Sequence, residues 1–199
     1  PMLGERTEVV VALPERDPDD DRYAADLVRS ALQIDLDEPP PGSVEEQAAG
    51  FARLVEHGNP DATAPLDIAG WPFDGPGDDL ERLLTAAGAY CAPRTLDAHE
   101  PVERRAIAEL EWADWLGAVL SLVRAGPGTV VDGEEIVAGI NRCPEVTTAI
   151  PRSDAPRIAW AFERTLYAWE ITGVLDPDAR LTEAGSWILP RAAIGAWSR

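Results

Sequence analysis

The sequence predicts a mainly α protein. A helical N-terminal half precedes a C-terminal module of helices with a short β-hairpin before the last one. Three observations carry this. Apolar residues recur at helical spacing along most of the chain. The first half has one clear strand signal, the β-branched run Thr7–Leu13 (TEVVVAL). From Ser153 to Trp197, a long helical pattern, a tight turn and a second helical pattern follow one another. That stretch holds four of the seven tryptophans, Trp160, Trp169, Trp187 and Trp197.

In chain order, Thr7–Leu13 needs a strand partner: the hairpin, a second copy, or a weaker strand elsewhere in the chain. Asp17, Asp19 and Asp21 imitate the start of a calcium loop. Arg22 then stands where such a loop needs Gly, and Val28 where it needs Glu. The acids are better read as complements to a helix dipole at the N-terminus of a helix over 21–34, whose buried side holds Ala24, Leu27, Val28, Ala31 and Leu32. Pro39-Pro40-Pro41-Gly42 is a stiff connector or surface loop. Ser43 with Glu46 forms a capping box and opens a helix to His57, whose stripe is Val44, Ala48, Phe51, Leu54 and Val55. His57 at the helix end is a C-terminal dipole partner. The loop 58–77 is rich in Gly, Pro and Asp and carries Trp71-Pro72-Phe73. Trp71 and Phe73 plug it onto the core or form a candidate ligand lid. A helix over 78–90 follows, with Leu80, Leu83, Leu84 and Ala87 inward. The break from Cys91 to Pro101 is the expected domain boundary: an acidic helical region over 1–96 with one N-terminal strand, and a second domain over 97–199.

A long helix over 101–125 places Trp112, Trp115, Leu116, Val119, Leu122 and Val123 on one stripe, with Asp114 and Ser121 opposite. Gly126-Pro127-Gly128 ends it, and a short helix spans 133–142. The central helix starts at Ser153 or Asp154 with Pro156 in its first turn, and stops at Gly173. Ile158, Phe162, Thr165, Leu166 and Trp169 form its core face. The other face gathers Trp160, Tyr167 and Ile171 beside Arg157 and Arg164, flanked by Glu163 and Glu170. Three large apolar residues there need a cover: the N-terminal half, a second copy or a partner. Asp176-Pro177-Asp178 is a turn between two-residue apolar arms. Pro190 interrupts the last helical pattern and predicts a kink or a fresh start.

The order helix, Gly173-Val174-Leu175, turn, Arg180-Leu181-Thr182-x-x-Gly185 resembles the end of many bacterial winged-helix regulators. The preceding long and short helices match the same module by element order. The resemblance implies a winged-helix-like domain over 97–199.

Composition limits the chemistry. At 199 residues there is room for one large domain or two small ones. All 17 basic residues are Arg, which with abundant Ala, Gly, Pro and Asp fits a GC-rich bacterial genome. Without Lys there is no Walker A loop, Schiff-base lysine or pyridoxal anchor. The net charge is −19: residues 1–99 carry −14, residues 100–199 carry −5, and 151–199 are neutral. That balance argues against DNA as a partner. Two cysteines make no disulfide scaffold. No apolar run reaches spanning length and no signal peptide opens the sequence, so a cytoplasmic location and no membrane partner are expected. Cys91, Asp97, His99 and Glu100 are the one local cluster of metal-like types, but their spacing matches no zinc pattern. There is no Gly-x-Ser-x-Gly elbow. The expectation is no catalytic residue, metal or cofactor. The reading is a non-catalytic interaction or regulatory protein that meets a protein partner or its own copy through Arg157, Trp160, Arg164, Tyr167 and Ile171. The alternatives are a DNA-binding regulator using Arg157 and Arg164, and a small-molecule or enzymatic site under the Trp71 loop.

Overall fold

A computed structural model describes residues 18–57, 77–88, 110, 112–147 and 149–197. Among these it is mainly helical, with seven helices and no continuous strand. They are α1 (Pro18–Leu32), α2 (Gly42–His57), α3 (Asp79–Ala87), α4 (Trp112–Ala125), α5 (Gly133–Arg142), α6 (Ala155–Ile171) and α7 (Glu183–Trp197). Thr7–Leu13, the Trp71 loop, residues 101–109 of the expected long helix and the expected boundary at 91–101 lie outside the described residues.

Local chemistry explains several helix starts. Asp78 and Asp132 cap α3 and α5 by accepting from the N–H groups of Glu81 (2.9 Å) and Glu135 (2.8 Å). Asp154 precedes α6 without a side-chain cap, and Pro156 in the first turn needs no N–H partner. Thr182 caps α7: its hydroxyl accepts from the Gly185 N–H (2.8 Å) and donates to the Gly173 carbonyl (2.7 Å). One helix runs through Pro190, where the sequence predicts a kink or a new start. Ile188, Leu189 and Ala192 are buried around it, so packing offsets the lost N–H bond.

The main core gathers around two fully buried tryptophans. Trp115 on α4 meets Phe162 edge-on (5.1 Å between centroids) and Trp169 (6.1 Å), both on α6. The Trp169 indole N–H donates to the Ala87 carbonyl at the end of α3 (3.2 Å). Val44, Ala48 and Phe51 of α2 and Leu83 of α3 belong to the same cluster. On α6, Ile158, Phe162, Thr165 and Trp169 are buried as their period predicts, and Leu166 is half-buried.

Two glycines set backbone contacts. A Cβ on Gly133 would lie 2.2 Å from the Ala159 carbonyl oxygen, so α5 touches α6 there with no side chain between. A Cβ on Gly185 would lie 2.2 Å from the Val174 oxygen. The Leu-Thr-x-x-Gly run therefore has a local reason: Thr182 caps α7, and Gly185 lets its first turn press on the chain leaving α6.

Between α6 and α7 the chain turns at Asp176–Ala179, closed by the Ala179 N–H on the Asp176 carbonyl (2.9 Å). Leu175 and Leu181 form one isolated antiparallel bridge across it, and Val130 and Arg180 form another. Ala179 takes a left-handed conformation (φ 53°).

α4 buries more than the single stripe its sequence predicts. Trp115, Val119 and Leu122 enter the main core, while Leu116 and Leu120 join Val28 and Cys143 in a second cluster under α1. Ser121, expected on the open side, faces α5: a Cβ on Gly139 would lie 2.6 Å from its hydroxyl.

Candidate protein-interaction face

α6 presents Arg157, Trp160, Arg164, Tyr167 and Ile171 along one line, at alternating steps of three and four residues. That spacing keeps side chains on one helix face. Arg157 and Arg164 are exposed, and Tyr167 is 48% exposed. Trp160 and Ile171 are half-buried and rest partly on the main core. The Arg164 guanidinium carbon lies 6.0 Å from the Trp160 ring centre, at the outer reach of a cation–π contact. Glu163 and Glu170 are exposed beside the line.

The face therefore has two parts. Trp160 and Ile171 fix its position from below, and Tyr167 and the arginines offer contact above. An amphipathic aromatic next to guanidinium groups is the composition that dominates binding hot spots.

Trp71 and Phe73, and the cluster Cys91, Asp97, His99 and Glu100, lie outside the described residues. His57 is the last residue of α2. Among the described residues no group of three His, Cys, Asp or Glu could hold a metal ion, and no helix is long and apolar enough to cross a membrane.

Two polar clusters escaped the sequence reading. In the first, Arg124 at the end of α4 forms a two-pronged ion pair with Glu145, one arm at 2.8 Å. The same guanidinium donates to the Ala31 carbonyl at the end of α1 (3.0 Å). The Cys143 thiol donates to Glu145 (3.2 Å). Arg124 pulls the Glu145 carboxyl down to about 2, mainly through its hydrogen bonds. Burial, then the neighbouring Glu145, pushes the Cys143 thiol up, which keeps it protonated and unreactive.

In the second, Arg191 stacks on Trp187 one turn earlier, 3.8 Å from guanidinium carbon to ring centre. It donates to the Leu36 carbonyl (3.2 Å) and the Asp35 carbonyl (2.6 Å). Burial lowers its pKa, and the nearby carboxylates of Glu38, Asp35 and Asp37 work against that. Trp187 and Arg191 are four apart, so this pair was visible in the sequence as a helical neighbour contact. The Arg124 cluster joins residues far apart in the chain and gave no local signal.

Comparison with known proteins finds no matching family model, no matching curated protein and no matching solved structure.

Proposed function

We propose that this is a non-catalytic interaction or regulatory protein on a winged-helix-like scaffold, which docks a protein partner on the outer face of α6. The observation that carries the reading is the line Arg157, Trp160, Arg164, Tyr167, Ile171, with an exposed tyrosine one step beyond Arg164, two exposed arginines and the half-buried anchors Trp160 and Ile171. The order α4, bridge at Val130, α5, α6, bridge between Leu175 and Leu181, α7 supports the scaffold reading.

Charge favours protein over DNA. A winged helix on duplex DNA needs basic groups at its wing as well as on its recognition helix. Here the turn carries Asp176 and Asp178. The Asp176 carboxylate accepts from the N–H groups of Asp178 and Arg180 (both 2.9 Å), and the Arg180 guanidinium is bound to the Gly128 carbonyl (3.0 Å). The long-range field of a chain at −19 repels phosphate.

The test is affinity capture from the source cell with mass spectrometry, using the native chain beside Arg164→Glu and Tyr167→Ser. A partner held by the native chain and lost from both variants is the expected result. A partner held equally by all three removes the α6 face. In a mobility shift at low salt, no sequence-specific retardation of duplex DNA is expected. Retardation at submicromolar protein that is lost on Arg157→Ala or Arg164→Ala would replace this reading with a DNA-binding regulator.

A further inference from the structure

The outer face of α6 carries a pattern that is complementary to itself. Successive residues of an α-helix are turned by about 100°. Trp160 and Tyr167 are two turns apart, so they lie within about 20° of each other and mark the middle of the face. Pro156 and Ile171 extend this ridge at its two ends, each about 30° off the middle line. Glu163 and Arg164 are neighbours in sequence and fall about 50° to either side of that line, at nearly one height between the two rings. Both are exposed. Among the described residues Glu163 forms no ion pair. The face is thus an apolar ridge with a carboxylate on one flank and a guanidinium on the other.

Two copies of this helix can meet ridge to ridge in two ways. Running in the same direction, about a two-fold axis parallel to both, each helix turns its Glu163 flank toward the partner's Arg164. Two opposite-charge pairs then form, one on each side, and each ring meets its own copy across the axis. Running in opposite directions, the axis crosses the helices, and each flank meets the same flank. Glu163 then faces the partner's Glu163, and Arg164 faces the partner's Arg164. Like charges reject that arrangement and leave the parallel one. The spread of charge over the chain also favours this face. The chain carries −19, yet residues 151–199 are neutral. Two copies therefore meet least repulsion through this part of the molecule.

We propose that the partner of this face is a second copy of the chain. Two α6 helices pair in parallel about a two-fold axis, with Trp160 and Tyr167 against the partner's Trp160 and Tyr167. Glu163 pairs with the partner's Arg164 on both flanks. This rests on α6 being an interaction face, and it names the occupant. The contact is the same patch on both chains, so it closes at a dimer. One helix face is a small interface, so the dimer is reversible, with a Kd on the order of 10–100 µM.

The experiment uses the full chain and size-exclusion chromatography with light scattering, from about 1 to 500 µM. The native chain is expected to pass from monomer to dimer over that range. Glu163→Arg and Arg164→Glu each turn both opposite-charge pairs into like charges, and each should raise the dimer Kd at least about tenfold. An equimolar mixture of these two variants restores opposite charges on both flanks and should dimerise again. The double exchange, E163R with R164E, restores them within one chain, and its Kd should lie within about threefold of native. Both side chains are exposed, so these variants should keep the native melting temperature. Tyr167→Cys, oxidised at high concentration, should give a disulfide between the two substituted positions, identified by peptide mass spectrometry.

A native chain that stays monomeric throughout overturns the self-pairing. If affinity capture then still brings a different protein that Arg164→Glu loses, the α6 face stands with a foreign partner. If it brings none, that reading falls too. A dimer unchanged by Glu163→Arg and by Arg164→Glu uses another surface, and it equally overturns the proposal. So does a double exchange that stays monomeric, because a pattern that pairs with itself in parallel survives its own inversion.

Discussion

α1 and α6 both lay an apolar side on α4, but they are held by different physics. α6 meets α4 through Trp115, Phe162 and Trp169, all fully buried and in ring contact. On its other side α6 lies against α5, where Gly133 lets two backbones touch. α1 meets α4 through one small cluster around Val28; Arg124 holds the carbonyl of Ala31 at its end, and Arg191 holds the carbonyls of Asp35 and Leu36 in the chain just after it. Large interlocked burial makes a helix part of the fold. A small cluster with polar clamps predicts a helix that opens before the rest, because local opening follows local buried area.

The largest expected effect is in the first region. Trp169→Ala should cost about 3–5 kcal/mol, the range for deleting a buried large aromatic, with the Ala87 carbonyl left unpaired as well. Urea unfolding measures it. A midpoint near that of the native chain would show that the core does not rest on this ring. Gly133→Ala comes next, at about 2–3 kcal/mol, because the new methyl overlaps the Ala159 carbonyl and must force α5 off α6. Val28→Ala should cost less, about 1–2 kcal/mol for a truncated valine in a small cluster. Its signature is regional: hydrogen exchange should speed up in α1 and stay unchanged in α6. Uniform acceleration across both would erase the distinction between the two regions.

Much of the α6 region was legible in the sequence, and little of the α1 region was. The period of Ile158, Phe162, Thr165 and Trp169 is local and survives folding unchanged. Asp176-Pro177-Asp178 is readable as a turn for the same reason. Its flanking arms hold two apolar residues each, so among the described residues the pairing amounts to single bridges. Leu116 lay on the expected stripe of α4, but Leu120 was hidden because it becomes core only when α1 covers it. The clamps were hidden more deeply. Arg124 reaches a carbonyl 93 residues away and Arg191 one 155 residues away. A carbonyl carries no sequence signal at all. No new helix starts at Pro190, because a missing N–H is a local loss and the packing that tolerates it is not local.

The clamp also has a pH signature. Arg124 holds the Glu145 carboxyl at about 2, below its ordinary 4.5. A depressed carboxylate stabilises the fold above its unfolded pKa and loses that contribution as pH falls through the folded value. Glu145→Gln should therefore cost about 1 kcal/mol at neutral pH, allowing for solvent screening of a partly exposed pair. The gap between native and variant stability should shrink as pH drops from 4.5 toward 2. A gap that stays constant over that range would mean the ion pair does not support the fold.

The smallest expected change in stability separates a surface that holds the fold from one that faces outward. Tyr167 lies on the same helix as Trp169, two residues earlier, yet it is 48% exposed where Trp169 is 0%. Removing an exposed ring leaves no cavity, so Tyr167→Ala should move unfolding by less than about 0.5 kcal/mol. Trp160→Ala, two face positions earlier, should cost more, because Trp160 is half-buried and packs partly on the core. The binding readout should run the other way. An exposed tyrosine beside a guanidinium group is the kind of residue whose truncation costs an interface most, so Tyr167→Ala should weaken partner capture at least tenfold, the lower end of hot-spot behaviour. Thermal melts and capture measured on the same two variants settle it together. If Tyr167→Ala melts several degrees low, the ring is part of the fold. If it melts normally and still captures the partner, the outer face of α6 is a solvated helix face, and the partner reads another surface.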